Sequence, residues 1–499
     1  MNYVLGIDLG TSAVKIALVN QHGQVIDEVS KDYPLYHEKS GYSEQDPDDW
    51  VNKTIEGLTE ITSRYSGSVS TIEGLSFSGQ MHGLVLLDEK QVPLRRAILW
   101  NDTRTTKQCH DIEEKVGEAR LLSITQNRAL EGFTLPKILW VKEHESTLFQ
   151  QVKSVLLPKD YVRLKLTGKL HMDYSDAAGT LLLDIKNRTW SSEIIDILEL
   201  PPTIFPELVE STAFVGHLSD EIVRQTGLSH DLKVYAGGAD NACGAIGAGV
   251  SEQGQTMVSI GTSGVVLSFE QNADKDFGGK VHYFHHSVPD SFYSMGVTLA
   301  AGYSLSWFKD VFAKDESFEH LLAEAGEVPV GANGLLFTPY LVGERTPHAD
   351  STIRASFIGM DSSHKRAHFV RAVLEGITFS LNESIDLFRS YGKEIDHVIS
   401  IGGGAKSHVW LQMQADIFNA RVIKQKSEQG PAMGAAMIAA YGCGWFESLK
   451  QCNDTFLEVE QSFEPIPENV NQYQQLFHLY QAVYGQTKEL NQGLSLFRK

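Results

Sequence analysis

The chain has 499 residues, 42 % of them hydrophobic and 21 % charged, and its 43 lysines and arginines face 63 aspartates and glutamates for a formal charge of −20. That length requires more than one core, the composition excludes a disordered or fibrous chain, and the charge opposes non-specific binding to nucleic acid or an anionic membrane. Any anionic ligand has to be held by local dipoles and a few placed groups.

The first predicted element is a short apolar strand in VLGIDLGTSAVK, residues 4–15, with Val4, Leu5, Ile7 and Leu9 marking it. Asp8 interrupts it two residues before a Gly-Thr-Ser turn, and a carboxylate there needs compensation. Two readings stand: a strand-end Asp accepting bonds from the turn, or a carboxylate facing a metal–phosphate complex. LSFSGQMHG (75–83) ends a second strand with Gln80, Met81 and His82, and ILWNDTR (98–104) a third with Trp100, Asn101, Asp102 and Arg104. VYAGGADNACGAIGAG (234–249) puts Asp240 and Asn241 between a double glycine and a small-residue helix. Polar groups gathered at strand ends are where open α/β sheets bind ligands, although a satisfied core histidine and an Asn-Asp turn are the plain alternatives.

VSIGTSGVVLSF (258–269) repeats the pattern of residues 5–18 about half a chain later, so Gly10-Thr11-Ser12 and Gly261-Thr262-Ser263 read as equivalent hairpins of two related domains. Glycine permits close approach in such a turn, and its amides and hydroxyls suit phosphate oxygens. HVISIGGGAKSHVWLQMQADIFNA (397–420) reads as strand, glycine loop and amphipathic helix, GPAMGAAMIAAYG (430–442) as a closely packed small-residue helix, and 468–490 as helical. Neither a GxxxxGK[ST] nor a GxGxxG pattern occurs. Cys109, Cys243, Cys443 and Cys452 have no CxxC spacing, the start lacks a basic and apolar leader, and no uncharged apolar stretch reaches the roughly 18 residues of a membrane span. A reducing, cytoplasmic setting is the expectation.

Asp8-Leu9-Gly10-Thr11-Ser12, Gly238-Ala239-Asp240-Asn241, Gly261-Thr262-Ser263 and Gly402-Gly403-Gly404-Ala405 occur in the order and spacing of the FGGY carbohydrate kinases, and the chain resembles that family from residue 3 to about 450. GFTLPKILWVKEH (132–144) and ASFIGMDSSHKRAHFVRAVLE (355–375) match its two signature stretches, and SGQMHG, WNDTR, LLPKDYVRLKLTG, SDAAGTLLLD and GERTPH are similar to its ketopentose-specific members. The resemblance implies an α/β fold of two actin-like, ribonuclease-H-like domains, about 1–246 and 247–499, around a central cleft. It implies ATP-dependent phosphorylation of a ketopentose, D-xylulose foremost, with ribulose, gluconate or glycerol as alternative acceptors. An actin-like ATP-driven binding protein is the rival from another class.

By the same resemblance Asp240 is the catalytic base and Asp8 holds Mg2+ through water. Met81, His82, Trp100, Asn101, Asp102 and Asn241 surround the sugar. Gly10, Thr11, Ser12, Lys15, Gly261, Thr262 and Ser263 hold the ATP phosphates, and Gly402, Gly403, Gly404 and Ala405 the adenosine. The implied partners are the sugar and MgATP, with neither nucleic acid nor membrane, and a homodimer is left open.

Overall fold

A computed structural model describes residues 1–65, 67–426 and 430–498. Its first strand, Tyr3–Leu9, sorts its side chains by the two-residue period of a strand. Leu5, Ile7 and Leu9 enter a core with Trp50, Leu58 and Ile61 of the helix Pro47–Arg64. Val4, Gly6 and Asp8 point the other way. Gly6 lies under the helix Gly430–Gly442, where an added Cβ would stand 2.0 Å from the Ala432 carbonyl oxygen and 2.7 Å from the Ala436 nitrogen. Asp8 is therefore turned away from the hydrocarbon core, toward the face that this distant helix partly covers.

Two sheets of seven strands carry the molecule. In the first, Tyr3–Leu9 pairs antiparallel with Ala13–Asn20 and parallel with Ile72–Gly79; Val25–Asp32 and Phe214–His217 form the edges, Lys233–Tyr235 lies inside the latter, and Gly238–Ala239 extends the pairing of Ile72–Gly79. In the second, Gln255–Ile260 pairs antiparallel with Gly264–Glu270 and parallel with His397–Gly402, followed by Arg421–Gln425 and the antiparallel edge Val459–Phe463. Phe292–Thr298 and His282–His285 complete the other side. Three antiparallel strands, two parallel ones and an antiparallel edge thus recur in the same order, which is the duplication implied by the two Gly-Thr-Ser runs.

The duplication is not exact in register. Leu9 pairs with Val14 and the Gly10 amide donates to Ala13, whereas Ile260 pairs with Gly264 and the Gly261 amide donates to Ser263. The second hairpin is one residue tighter, and a one-residue shift exchanges the faces of a strand. Val14 is core accordingly, while its counterpart Val265 lines a cavity.

A second expectation needs correction. Trp100–Arg104 does not cap a strand of either large sheet: the strand is only Ala97–Ile98, paired with Glu44–Gln45, and Leu99 donates its amide to Ser43. Loop-to-loop bonds satisfy its backbone, a long-range arrangement that local apolar pattern does not reveal.

The helix Asp240–Gly247 packs on Gly430–Gly442 at glycine distance; a Cβ at Gly434 would stand 1.8 Å from the Cys243 carbonyl oxygen. Val4, Ala17 and Val19 of the first sheet, Cys243 and Ile246 of one helix and Met433 and Met437 of the other share one apolar cluster. Packing therefore crosses a boundary drawn near residue 247, because the later helix covers the earlier sheet. The C-terminal helix Pro467–Ser495 rests on Arg366–Ser390 through Phe379, Tyr473 and Tyr480. Among the described residues no helix is long and apolar enough to cross a membrane.

Beneath the first sheet lies a fully buried charge cluster. Lys159 Nζ is 2.8 Å from Asp160, 2.7 Å from Asp173 and 2.9 Å from Asp176, and Arg163 is 2.9 Å from Asp160. The three aspartates could hold a metal ion, but the ammonium occupies their common centre. Burial pushes Asp176 well up, whereas Lys159 and hydrogen bonds from Ser175 and Ser211 outweigh burial at Asp173 and hold it down. Removing the central cation strands the carboxylates. Lys159→Met should cost about 3–5 kcal/mol, read as a lower urea midpoint with an unchanged slope.

Candidate active site

Two cavities open on opposite sides of the second hairpin. The smaller, about 330 Å³, is walled by Met81, His82, Trp100–Thr103, Leu130–Phe133, Asp240 and Asn241 from the first half, and by Ser263, Val265, His282, Met295, Val297 and Arg345 from the second. The larger, about 740 Å³, is lined by Gly261, Thr262, Gly302, Tyr303, Gly403, Lys406, Ser407 and Trp410, with Phe318, Leu322 and Val409 on its apolar side. The hairpin Gly261–Ser263 divides them, with Gly261 and Thr262 on the larger cavity and Ser263 on the smaller.

Asp240 opens its helix, and Ser175 sets the approach: its hydroxyl accepts the Ala239 amide at 2.9 Å while donating to Asp173 of the buried cluster. Asp240 Oδ1 accepts from the Asn241 amide at 2.7 Å and from Asn241 Nδ2 at 3.1 Å. Burial, reinforced by the charge of Asp8, pushes its pKa up to about 7. Burial also raises Asp8, against the Ser78 hydroxyl and the Lys15 ammonium, its partners in the ladder. Among the described residues Asp8 Oδ1 is buried without a hydrogen-bond partner. Two neighbouring carboxylates, one carrying an orphaned oxygen, fit a hydrated divalent cation.

Met81 and His82 follow the strand Ile72–Gly79. His82 has φ 69°, unusual for a side chain with a Cβ, and the Gly83 amide closes the turn onto Met81 at 2.9 Å. Thr134 at 3.1 Å and Lys137 at 3.2 Å donate to the His82 carbonyl and hold this conformation. Nδ1 lies 2.6 Å from the Gly179 carbonyl and so carries the proton; burial takes the pKa down to about 3, leaving a neutral ring with Nε2 as acceptor. Met81 Sδ accepts from Asn241 Nδ2 at 3.5 Å and from the Tyr293 hydroxyl at 3.8 Å.

Trp100, 47 % exposed, donates Nε1 to Thr11 Oγ1 at 3.0 Å and so joins the first hairpin to the smaller cavity. Asn101 lines the same wall, and its side chain has no hydrogen bond among the described residues. Asp102 does not: Ser43 N at 2.7 Å, Arg104 N at 3.0 Å, Nε at 2.9 Å and Nη2 at 2.6 Å occupy its carboxylate. It reaches the cavity wall as the brace of its loop.

The two hairpins share a design. Gln45 at 2.7 Å takes the Thr11 carbonyl, and Tyr33 and Gln80 the Gly10 carbonyl. Gly302 N at 2.8 Å and Tyr303 N at 3.1 Å take those of Gly261 and Thr262. Carbonyls are thus tied from behind, and the Thr11, Ser12, Thr262 and Ser263 amides have no acceptor among the described residues. That is an anion cradle. Lys15 shares the Asp8 face but also reaches Glu28 at 3.6 Å. Gly10, Thr11 and Ser12 line neither cavity. Of Gly402–Ala405 only Gly403 lines the larger one; Gly402 adopts φ 79° against the Ile260 carbonyl, Gly404 packs on the Ile260 side chain and Ala405 is buried.

Sequence reasoning missed Glu131, His282 and Arg345. Glu131 immediately precedes one family-like stretch and Arg345 lies inside GERTPH, so their neighbourhood was visible although their destination was not.

Residues 3–247 match the N-terminal domain, and residues 256–443 the C-terminal domain, of the FGGY family of carbohydrate kinases. A xylulose kinase of Bacillus subtilis (strain 168) is 61 % identical over 499 residues, covering 100 % of both chains. The crystal structure of a xyloylose kinase from Brucella ovis matches with TM-score 0.92 and 33 % identity over 98 % of this chain and 100 % of the other. That of a ligand-bound xylulose kinase from Lactobacillus acidophilus matches with TM-score 0.93 and 28 % identity over 98 % and 99 %.

The raised pKa of Asp240 has a cost in stability. Its folded value, about 7, exceeds the ordinary 3.8, so the folded state binds the proton more tightly. Stability from this group is full below pH 4 and is lost as pH rises to 7. Asp240→Asn, which mimics the protonated form, should match the parent near pH 4 and exceed it by a few kcal/mol at pH 8 in chemical unfolding.

Proposed function

We infer, from the premise that the chain belongs to the FGGY family of carbohydrate kinases, that it transfers the γ-phosphoryl group of ATP to D-xylulose. Identity of 61 % with a xylulose kinase over the whole length supports the substrate, and the single observation that carries the chemistry is Asp240 on the wall of a polar cavity adjoining a nucleotide-sized one. The sugar occupies the smaller cavity and MgATP the larger, with the phosphates on the outward amides of the hairpins. Residues 1–246 and 247–499 supply one hairpin each, and the two jaws are the bodies built on the two seven-stranded sheets, with the helix Gly430–Gly442 riding on the first.

Phosphoryl transfer needs positioning and charge neutralisation more than covalent help. Asp240 accepts the proton of the primary hydroxyl as its oxygen attacks phosphorus in line. A base with pKa about 7 is strong enough to take that proton and is about half ionised at neutral pH. Asp8 holds the magnesium complex, whose positive charge relieves the repulsion between the two carboxylates. The neutral His82 ring and Asn101 and Asn241 bond the hydroxyls, while Met81 and Trp100 cover carbon.

Sugar-dependent ADP release tests this reading. D-xylulose should exceed D-ribulose, L-ribulose, glycerol and gluconate in kcat/KM; a preference for another member of the panel would replace the substrate and keep the kinase. Asp240→Asn should lower kcat by about 10²–10⁴-fold with sugar affinity retained, and near-normal turnover would remove Asp240 from the role.

The pH profile gives a separate check. With both substrates below saturation, kcat/KM should fall on the acid side with an apparent pKa near 7. Saturating magnesium nucleotide should move that limb to lower pH, because the dication stabilises the ionised carboxylate. A limb that stays in place would separate Asp240 from the metal's field.

A further inference from the structure

Arg345 is the uncommitted cation of the smaller cavity. Its backbone is fixed: its amide donates to Glu344 at 2.8 Å, Thr346 N donates to the Val297 carbonyl at 2.9 Å, and Val297 N donates back to Thr346 Oγ1 at 3.1 Å. Its guanidinium, by contrast, makes no hydrogen bond or ion pair with the described residues, and burial holds its pKa below the ordinary value. Five donors directed into a polar cavity require acceptors from a ligand.

The opposite wall offers one uncommitted carboxylate. Asp102 is spent on Arg104, and Asp240 belongs to the phosphate end. Glu131 has a single partner, Thr106 Oγ1 at 3.0 Å, and its charge acts on Arg345 although the two groups are too far apart for an ion pair. His82 and His282, which also face Arg345, are both neutral because of burial; the Glu344 carboxylate acts on Arg345 as well, but it is engaged by Thr298, Ser380 and backbone amides, and burial pushes its pKa up to about 7. An arginine from one half of the chain and a glutamate from the other thus line one cavity without an ion pair between them.

Building on the sugar-kinase reading, we propose that Arg345 and Glu131 form a split recognition pair across the cleft. The guanidinium donates to the carbonyl and hydroxyl oxygens of a neutral sugar, and the carboxylate accepts from its hydroxyls. Glu131 also repels a sugar acid, whose carboxylate would otherwise pair with Arg345. The pair therefore selects uncharged acceptors and joins the two jaws only when one is bound.

Steady-state kinetics on the full chain tests this with D-xylulose and D-gluconate, alongside thermal shift with each sugar. Arg345→Ala should raise the D-xylulose KM about ten- to a hundredfold, lower kcat less, and abolish the sugar-induced thermal shift. Glu131→Gln should raise the gluconate-to-xylulose ratio of kcat/KM about tenfold or more. The double variant should lose less xylulose efficiency than the product of the single losses, as groups sharing one ligand do. Should Arg345→Ala not fold, Arg345→Lys, which keeps the charge and loses the fork, must show the KM rise. A KM within twofold of the parent in the folded arginine variant, or an unchanged gluconate ratio in Glu131→Gln, overturns the proposal. A parent enzyme releasing no ADP with any sugar would instead overturn the kinase reading.

Discussion

Two carboxylates placed near one another in a poorly solvated site are the constraint around which this molecule is organised. Asp8 and Asp240 come from the first strand and from a helix more than two hundred residues later, and each raises the cost of ionising the other. Like charges in low dielectric disperse unless the backbone leaves them no choice. Here it leaves none: Gly6 locks its strand beneath one helix, Gly434 locks that helix against the next, and Ser175 fixes the residue before Asp240. The rigidity of the surroundings is the counterpart of the repulsion at their centre.

The buried cluster around Lys159 poses the same electrostatic problem and solves it internally. Three aspartates surround one ammonium with an arginine beside it, and burial together with the neighbouring carboxylates pushes the pKa of Asp176 up. That cluster carries its own cation at its centre. Asp8 has no ion pair among the described residues and only the positive charge of Lys15 near it, so the rest of its balance has to come from outside. Buried carboxylate oxygens without a hydrogen bond occur at both places; the ammonium seated among the three aspartates is what separates the structural group from the reactive one.

Much of this was legible in the residues. Asp8 stood out because it breaks an apolar strand, the hairpins because Gly-Thr-Ser recurs at half the chain, and Gly430–Gly442 because a helix of small residues needs a close neighbour. Asp240 was marked by the double glycine before it. What escaped depends on distant partners. Trp100–Arg104 resembles a strand end until the Leu99 amide is seen to donate to Ser43, and the Asp102 carboxylate reads as free until the Ser43 amide closes on it. Val265 differs from Val14 only through a one-residue slip in pairing. Glu131 and Arg345 sit in loops without periodicity, and only the folded chain brings them to one cavity.

The helix Gly430–Gly442 has a meaning for how such a chain can change over generations. The polypeptide builds the first sheet, departs to build the second, and then returns to cover the first before finishing elsewhere. Genetic modules and physical bodies therefore do not coincide. A recombinant that took its later half from a relative would also exchange the roof over Gly6 and the partner of the Asp240 helix. The two halves repeat one strand order, yet any exchange of one half must match the other at Gly6, Gly247 and Gly434, where the contacts leave no room for even one extra methyl group.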